Sequence, residues 1–203
     1  MSVTKPANSR NPLFSALETL DARRSVPARQ LGLPGPDDAT VLRMLQSASR
    51  VPDHGKRVPF RFLRIAGDAR PALGAALVAL TLRRDPLAGD AAIEKDRQRF
   101  NHAPVVIAVI AVLDPSDAKI PEQERLLTAG CACFALLQAA QALGFGANWL
   151  TGWPAYDPDV HALLAMGEHE RVAGFIHVGT PAVAVPERER PDPRTLLTDW
   201  SPG

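Results

Sequence analysis

The chain has 203 residues, 46% hydrophobic and 22% charged, the proportions of an ordinary globular protein with one sizeable core and no need of a second domain. A formal net charge of +1 argues against a nucleic-acid or membrane-surface partner, which a basic excess or stripe would announce. Four lysines are present (Lys5, Lys56, Lys95, Lys119), so the basic charge is almost all arginine.

Residues 1–12 read as a disordered polar leader without the apolar stretch of a secretory signal. Residues 13–203 read as a single domain whose tail is extended from about 181. Leu13, Leu17 and Leu20 recur at helical spacing and deliver Arg23-Arg24-Ser25 near the end of a first helix. Pro27 and the 32–36 Gly/Pro cluster predict a loop. Asp37 or Asp38 can cap a second helix through Val41, Leu42, Leu45 and Ala48. That helix must end before Pro52, because the residue preceding proline avoids the α region; Arg50 and His54 therefore flank a helix-to-loop transition.

Residues 60–65 alternate as a strand, and 71–82 read as an Ala/Leu-rich helix. The charged stretch 85–100 carries no motif and reads as a solvated face or mobile lid. Residues 105–113 form a near-continuous apolar run, a buried central strand. The longest helix spans about 122–143, with an Ala, Leu and Cys content that suggests burial on most sides. Gly144 stops it. A short strand (147–150), a helix (158–166) and a strand (172–178) complete the domain.

The apolar run at about 103–113 is far short of the roughly 20 residues a membrane helix needs. Cys131 and Cys133 stand two apart on a helix, on different faces, and read as small core residues of a reducing cytoplasm. The expected setting is soluble and cytoplasmic.

No Gly-x-Gly-x-x-Gly follows a strand, and neither a P-loop nor a Gly-x-Ser-x-Gly elbow occurs. His54, His102, His161, His169 and His177 lack zinc-site spacing; no metal is expected. His177, within an apolar strand, reads as a satisfied core or interface histidine. The pair Arg23-Arg24 with Ser25 is the set a phosphate monoester needs, since guanidinium forks bind phosphate oxygens bidentately and serine adds a short donor. By itself such a tripeptide is more often a solvated surface.

Taken in order, Arg23-Arg24-Ser25, Arg50-Val51-Pro52-Asp53-His54, Pro59-Phe60-Arg61-Phe62, Gly144-Phe145-Gly146-Ala147-Asn148-Trp149 and Gly179-Thr180-Pro181 resemble the nitroreductase family of FMN-dependent oxidoreductases. The resemblance spans about residues 13–200. It implies an α+β fold, with a central, mostly antiparallel sheet flanked by helices, in an intertwined homodimer. FMN would sit at the subunit interface and the tail would reach across to the partner.

On the matching positions, the resemblance implies that Arg23, Arg24 and Ser25 hold the FMN phosphate and ribityl chain. Arg50 and His54 would contact the cofactor from the second helix and its turn, and Trp149, Leu150 and Thr151 would line its other side. Close relatives carry Arg-Ser where this chain has Leu150-Thr151, so one phosphate cation is missing there. Arg194, in the tail, is a candidate replacement from the partner subunit. Ala139, Ala140, Gln141, Ala142, Leu143 and Gly144 are the candidate NAD(P) contact.

The implied activity is NAD(P)H oxidation coupled to reduction of a small nitroaromatic or quinone-like electron acceptor in ping-pong fashion, with no side chain named as a catalytic acid or base. Three other readings stand beside it. One is a different flavin reaction on the same fold. Another is a flavin-binding protein without turnover. The third is a hydrolase using His54 or His102.

Overall fold

A computed structural model describes residues 12–202, with side chains from Leu17 onward. Of the leader expected over residues 1–12, all but Pro12, the first residue of α1, lies outside the described residues, as does the side chain of Leu13. The chain order is α1 (Pro12–Asp21), β1 (Leu31–Gly32), α2 (Asp38–Ala48), β2 (Phe60–Ala66), α3 (Ala69–Arg84), α4 (Asp90–Gln98), β3 (Val105–Val112), α5 (Glu122–Ala142), β4 (Gly146–Leu150), α6 (Pro158–Leu163) and β5 (Glu170–Pro181).

The five strands form one sheet in the order β1-β5-β3-β2, with β4 also paired to β5, and every ladder is antiparallel. Strand β3 shows why its sequence is apolar at every position. Successive side chains point to opposite faces, and here both faces are covered. Val105, Ile107, Val109 and Ala111 pack with Met44 and Ala48 of α2 and Ala132, Cys133 and Leu136 of α5. Val106, Ala108 and Ile110 pack on the other side with Leu73 and Leu77 of α3, Phe100, Val160 of α6 and Phe175. The layers are therefore helix, sheet, helix.

Local signals behave as their chemistry dictates. The Asp37 carboxylate accepts from the Thr40 N–H at 2.8 Å and caps α2. Gly144, at φ 86, takes the left-handed position that ends α5.

Several expectations are corrected. The 85–100 stretch is not a bare solvated face: α4 forms within it, packs on α3 and buries Asp96. The strand expected over 172–178 is longer: β5 runs from Glu170 through Gly179-Thr180-Pro181, where Pro181 and Thr180 oppose Leu31 and Gly32. That two-residue partner strand was hidden in the Gly/Pro cluster. Of the cysteines, Cys133 is buried and Cys131 exposed, so one of the two is not a core residue. His177 is buried but not satisfied: it stacks on Phe100, and its Nδ1 has no hydrogen-bond partner. Burial, with His102 and Arg99 nearby, pushes its pKa down to about 4. Helix α5 is apolar around most of its girth, yet Leu126, Leu127 and Phe134 are 45%, 60% and 45% exposed.

Candidate functional site

Arg23, Arg24 and Ser25 leave α1 and run beside β4. Ser25 bridges Ala147 in parallel register, and the Val26 N–H donates to the Ala147 carbonyl at 3.0 Å. The side chain of Gln141, in the last turn of α5, fixes this run. Its oxygen accepts from the Arg24 N–H at 3.2 Å and its amide donates to the Thr19 carbonyl at 3.3 Å. The Arg23 guanidinium donates to Ser25 Oγ at 3.1 Å.

The tail then folds back onto the pair. Glu187 is ion-paired with Arg24 and, at 3.0 Å, with Arg190. Burial first, then the charges of Arg190, Arg188 and Arg24, hold the Arg23 guanidinium below its usual pKa. Four guanidiniums therefore converge where sequence reasoning saw two, and their mutual repulsion is what a bound anion relieves. The Glu187-Arg188-Glu189-Arg190 alternation is visible in the sequence, but its destination is not. Arg194 stands apart: it is 88% exposed and pairs with Asp192 of its own tail at 2.6 Å.

The stretch expected to meet NAD(P) adjoins this cluster. Gln141 and Gly144 line a cavity of about 260 Å³ with Arg24, Phe145 and Val185. Ala139 and Ala140 are buried, while Ala142, Leu143 and Gly144 are exposed.

Trp149, Leu150 and Thr151 extend from the same strand. The indole lies across β5, where Ala173 is an extra residue between the pairs Val109–Gly174 and Ile110–Val172. This bulge frees the Ala173 carbonyl, which accepts from Trp149 Nε1 at 3.1 Å. Trp149 also borders an apolar cavity of about 670 Å³ with Leu126, Gly130, Tyr156 and Arg171.

Arg50 and His54 lie elsewhere. Arg50 is exposed and borders an open cleft with Leu45, Ser49 and Phe62. His54 bonds through Nδ1 to Glu124, in the first turn of α5, at 2.7 Å. Glu124 and Gln141 stand seventeen residues apart on one helix, about 25 Å along its axis. Arg23-Arg24-Ser25 therefore meets Gln141 and Ala147 at the C-terminal end of α5, Trp149 reaches back along the helix to Leu126 and Gly130, and His54 is held at the N-terminal end. Among the described residues, no group of three or more His, Cys, Asp or Glu is placed to hold a metal ion, and no helix is long and apolar enough to cross a membrane.

The Nitroreductase family pattern matches residues 20–180. The chain is 34% identical over 188 residues to an Escherichia coli (strain K12) protein named "Putative NAD(P)H nitroreductase YdjA", covering 91% of this chain and 99% of that protein. Among solved structures, a nitroreductase-like family protein of Bacillus cereus aligns at a TM-score of 0.77 and 19% identity over 98% of this chain and 99% of its own, a likeness of fold. A Desulfovibrio desulfuricans chain solved in complex with FMN aligns at a TM-score of 0.71 and 25% identity, covering 96% of this chain and 100% of that one. The chain belongs to the nitroreductase family.

Proposed function

We propose that the protein is an FMN-dependent oxidoreductase that takes reducing equivalents from NAD(P)H and passes them to a small nitroaromatic or quinone-like acceptor. The observation that carries this reading is the convergence of Arg23, Arg24, Arg188 and Arg190 beside Ser25 at the edge of β4. That donor set fits a phosphate monoester: several forked cations and a hydroxyl, with Arg23 and Arg24 themselves half-buried. The D. desulfuricans neighbour with FMN and the NAD(P)H in the name of the E. coli relative support the choice of ligands.

Bound FMN supplies the hydride and electron transfer itself. The chain's residues bind, orient and enclose. Arg23, Arg24 and Ser25 would take the phosphate, with Arg188 and Arg190 adding charge from the tail; Arg24 must then exchange Glu187 for phosphate oxygens. Trp149, Leu150 and Thr151 would wall the adjoining surface. The exposed Ala142–Gly144 end of α5 is left for nicotinamide nucleotide contact. No side chain is required as an essential acid or base.

The placement of Arg50 and His54 favours a homodimer. His54, held at Glu124, cannot reach the arginine cluster of its own protomer along α5, so it would serve the site of a second copy, together with the exposed Arg50. The uncovered Leu126, Leu127 and Phe134 face of α5 is the surface such a copy would cover, and Leu196, Leu197 and Trp200 of the tail, 71%, 73% and 84% exposed, equally need a partner surface.

Steady-state NADPH and NADH oxidation at several fixed concentrations of a nitroaromatic or quinone tests the activity. Parallel double-reciprocal lines are expected for a two-step exchange through one site. Nucleotide oxidation that no such acceptor stimulates would overturn it.

A further inference from the structure

The turn from Pro52 to Val58 is fixed on every side. The Pro52 carbonyl accepts from Thr128 Oγ1 of α5 at 3.2 Å. The Asp53 carboxylate accepts from the Arg57 and Val58 N–H groups at 3.0 and 2.8 Å. Arg57 pairs with Asp117 at 2.8 Å, and Asp117 pairs in turn with the buried Arg125 at 2.7 Å. Held this way, Lys56 and Val58 adopt φ values of 54 and 48. A left-handed backbone is an outlier for a β-branched residue and persists only where surrounding bonds impose it.

What this strained turn presents is His54. Its Nδ1 lies 2.7 Å from Glu124 Oε2, while Nε2 has no protein partner among the described residues. Both side chains are about half exposed, at 56% and 45%. An exposed pair of this kind contributes little to stability, so its value lies in orientation. A carboxylate only accepts, so Nδ1 must carry the hydrogen; in the neutral ring Nε2 is then a bare lone pair.

We propose that Glu124 is a positioning residue that locks His54 in the Nδ1–H tautomer and presents Nε2 as a hydrogen-bond acceptor. The ligand group it meets is a donor, a hydroxyl or imide N–H of the kind a flavin carries. The ligand half of this proposal rests on the flavin reading above; the tautomer half does not.

The test uses the full-length protein with 15N-labelled histidine. Long-range proton–nitrogen correlations, with the His54 signal assigned by its loss in His54→Gln, report which ring nitrogen is protonated. At the alkaline end of a pH series, where the ring is neutral, wild type should show the Nδ1–H pattern, and Glu124→Ala should shift it towards the Nε2–H form that free imidazole prefers. A wild-type Nε2–H ring, or a pattern unchanged in Glu124→Ala, would overturn the proposal. Fluorescence titration with FMN adds the ligand half. Glu124→Ala and His54→Ala should each weaken binding about threefold to tenfold, the range of one hydrogen bond, and the double variant should be no weaker than His54→Ala alone. Independent, additive losses would show that Glu124 does not act through His54. Wild type that binds no FMN sinks the flavin reading while the tautomer result stands on its own.

Discussion

The indole of Trp149 lies on the backbone of Gly174: a methyl group added at that glycine would overlap Nε1 and Cδ1 of the ring. The bulge at Ala173 and the missing side chain at 174 together make the seat on which Trp149 rests. Gly174→Ala therefore has to displace the indole or bend β5. A loss of about 1–3 kcal/mol in urea unfolding is expected, with a red-shifted tryptophan emission and weaker flavin binding. A variant with wild-type stability and emission would mean that the ring does not depend on this seat.

The arginine cluster makes a prediction with opposite signs at neighbouring positions. Arg24→Ala should weaken FMN binding about tenfold to a hundredfold, the range of a charge-assisted bond, and should leave affinity for riboflavin, which lacks the phosphate, nearly unchanged. Glu187→Gln removes the carboxylate that competes for Arg24 and should tighten FMN binding at low salt. Calorimetric titration of each variant with both ligands checks the pair. Equal losses for riboflavin and FMN would place the phosphate elsewhere.

Asp96 joins α4 to Thr81 of α3 and to Trp153, just beyond β4. It accepts from Thr81 at 2.8 Å, from the Trp153 indole at 2.9 Å and from Arg99 at 3.0 Å. Burial pushes its pKa up, but the bonds from Trp153, Thr81 and Arg99 outweigh burial and leave it lowered. A depressed carboxylate contributes stability that is present above its unfolded value, 3.8, and is lost as pH falls through the lower folded value. Asp96→Ala should cost about 3–5 kcal/mol at pH 7 by stranding Arg99 and its neighbours. Asp96→Asn should flatten the acid limb of the stability curve. Urea unfolding between pH 2 and about 7 measures both.

The uncovered face of α5 predicts an assembly. Leu127→Glu combined with Phe134→Glu places two charges on it without touching the buried Ala132, Cys133 or Leu136. Sedimentation should show a dimer for wild type and a monomer for this variant, with flavin affinity lost alongside because Arg50 and His54 no longer meet the second site. A monomeric wild type that binds FMN would refute the shared site.

The parts of this architecture that were legible in the sequence are those decided locally. Strand β3 declares itself because both its faces are buried, and α2 because Asp37 caps it ahead of a regular apolar stripe. Strand β1 was not legible, since two residues between Gly/Pro signals carry no period and form only because β5 offers an edge. Helix α4 was hidden by its polarity; it is held by one buried carboxylate rather than by an apolar stripe. In the site, Arg23-Arg24-Ser25 stood out as a motif, whereas Arg188 and Arg190 join it only through the return of the tail, and Glu124 meets His54 across seventy residues of chain.

The central claim is that this chain holds FMN and exchanges electrons through it, and the visible absorption spectrum of the purified protein tests it most directly. The account predicts flavin bands, identified as FMN on release, that bleach when NADPH or NADH is added without oxygen and return with a nitroaromatic or quinone. A colourless protein that also takes up no added FMN would contradict it.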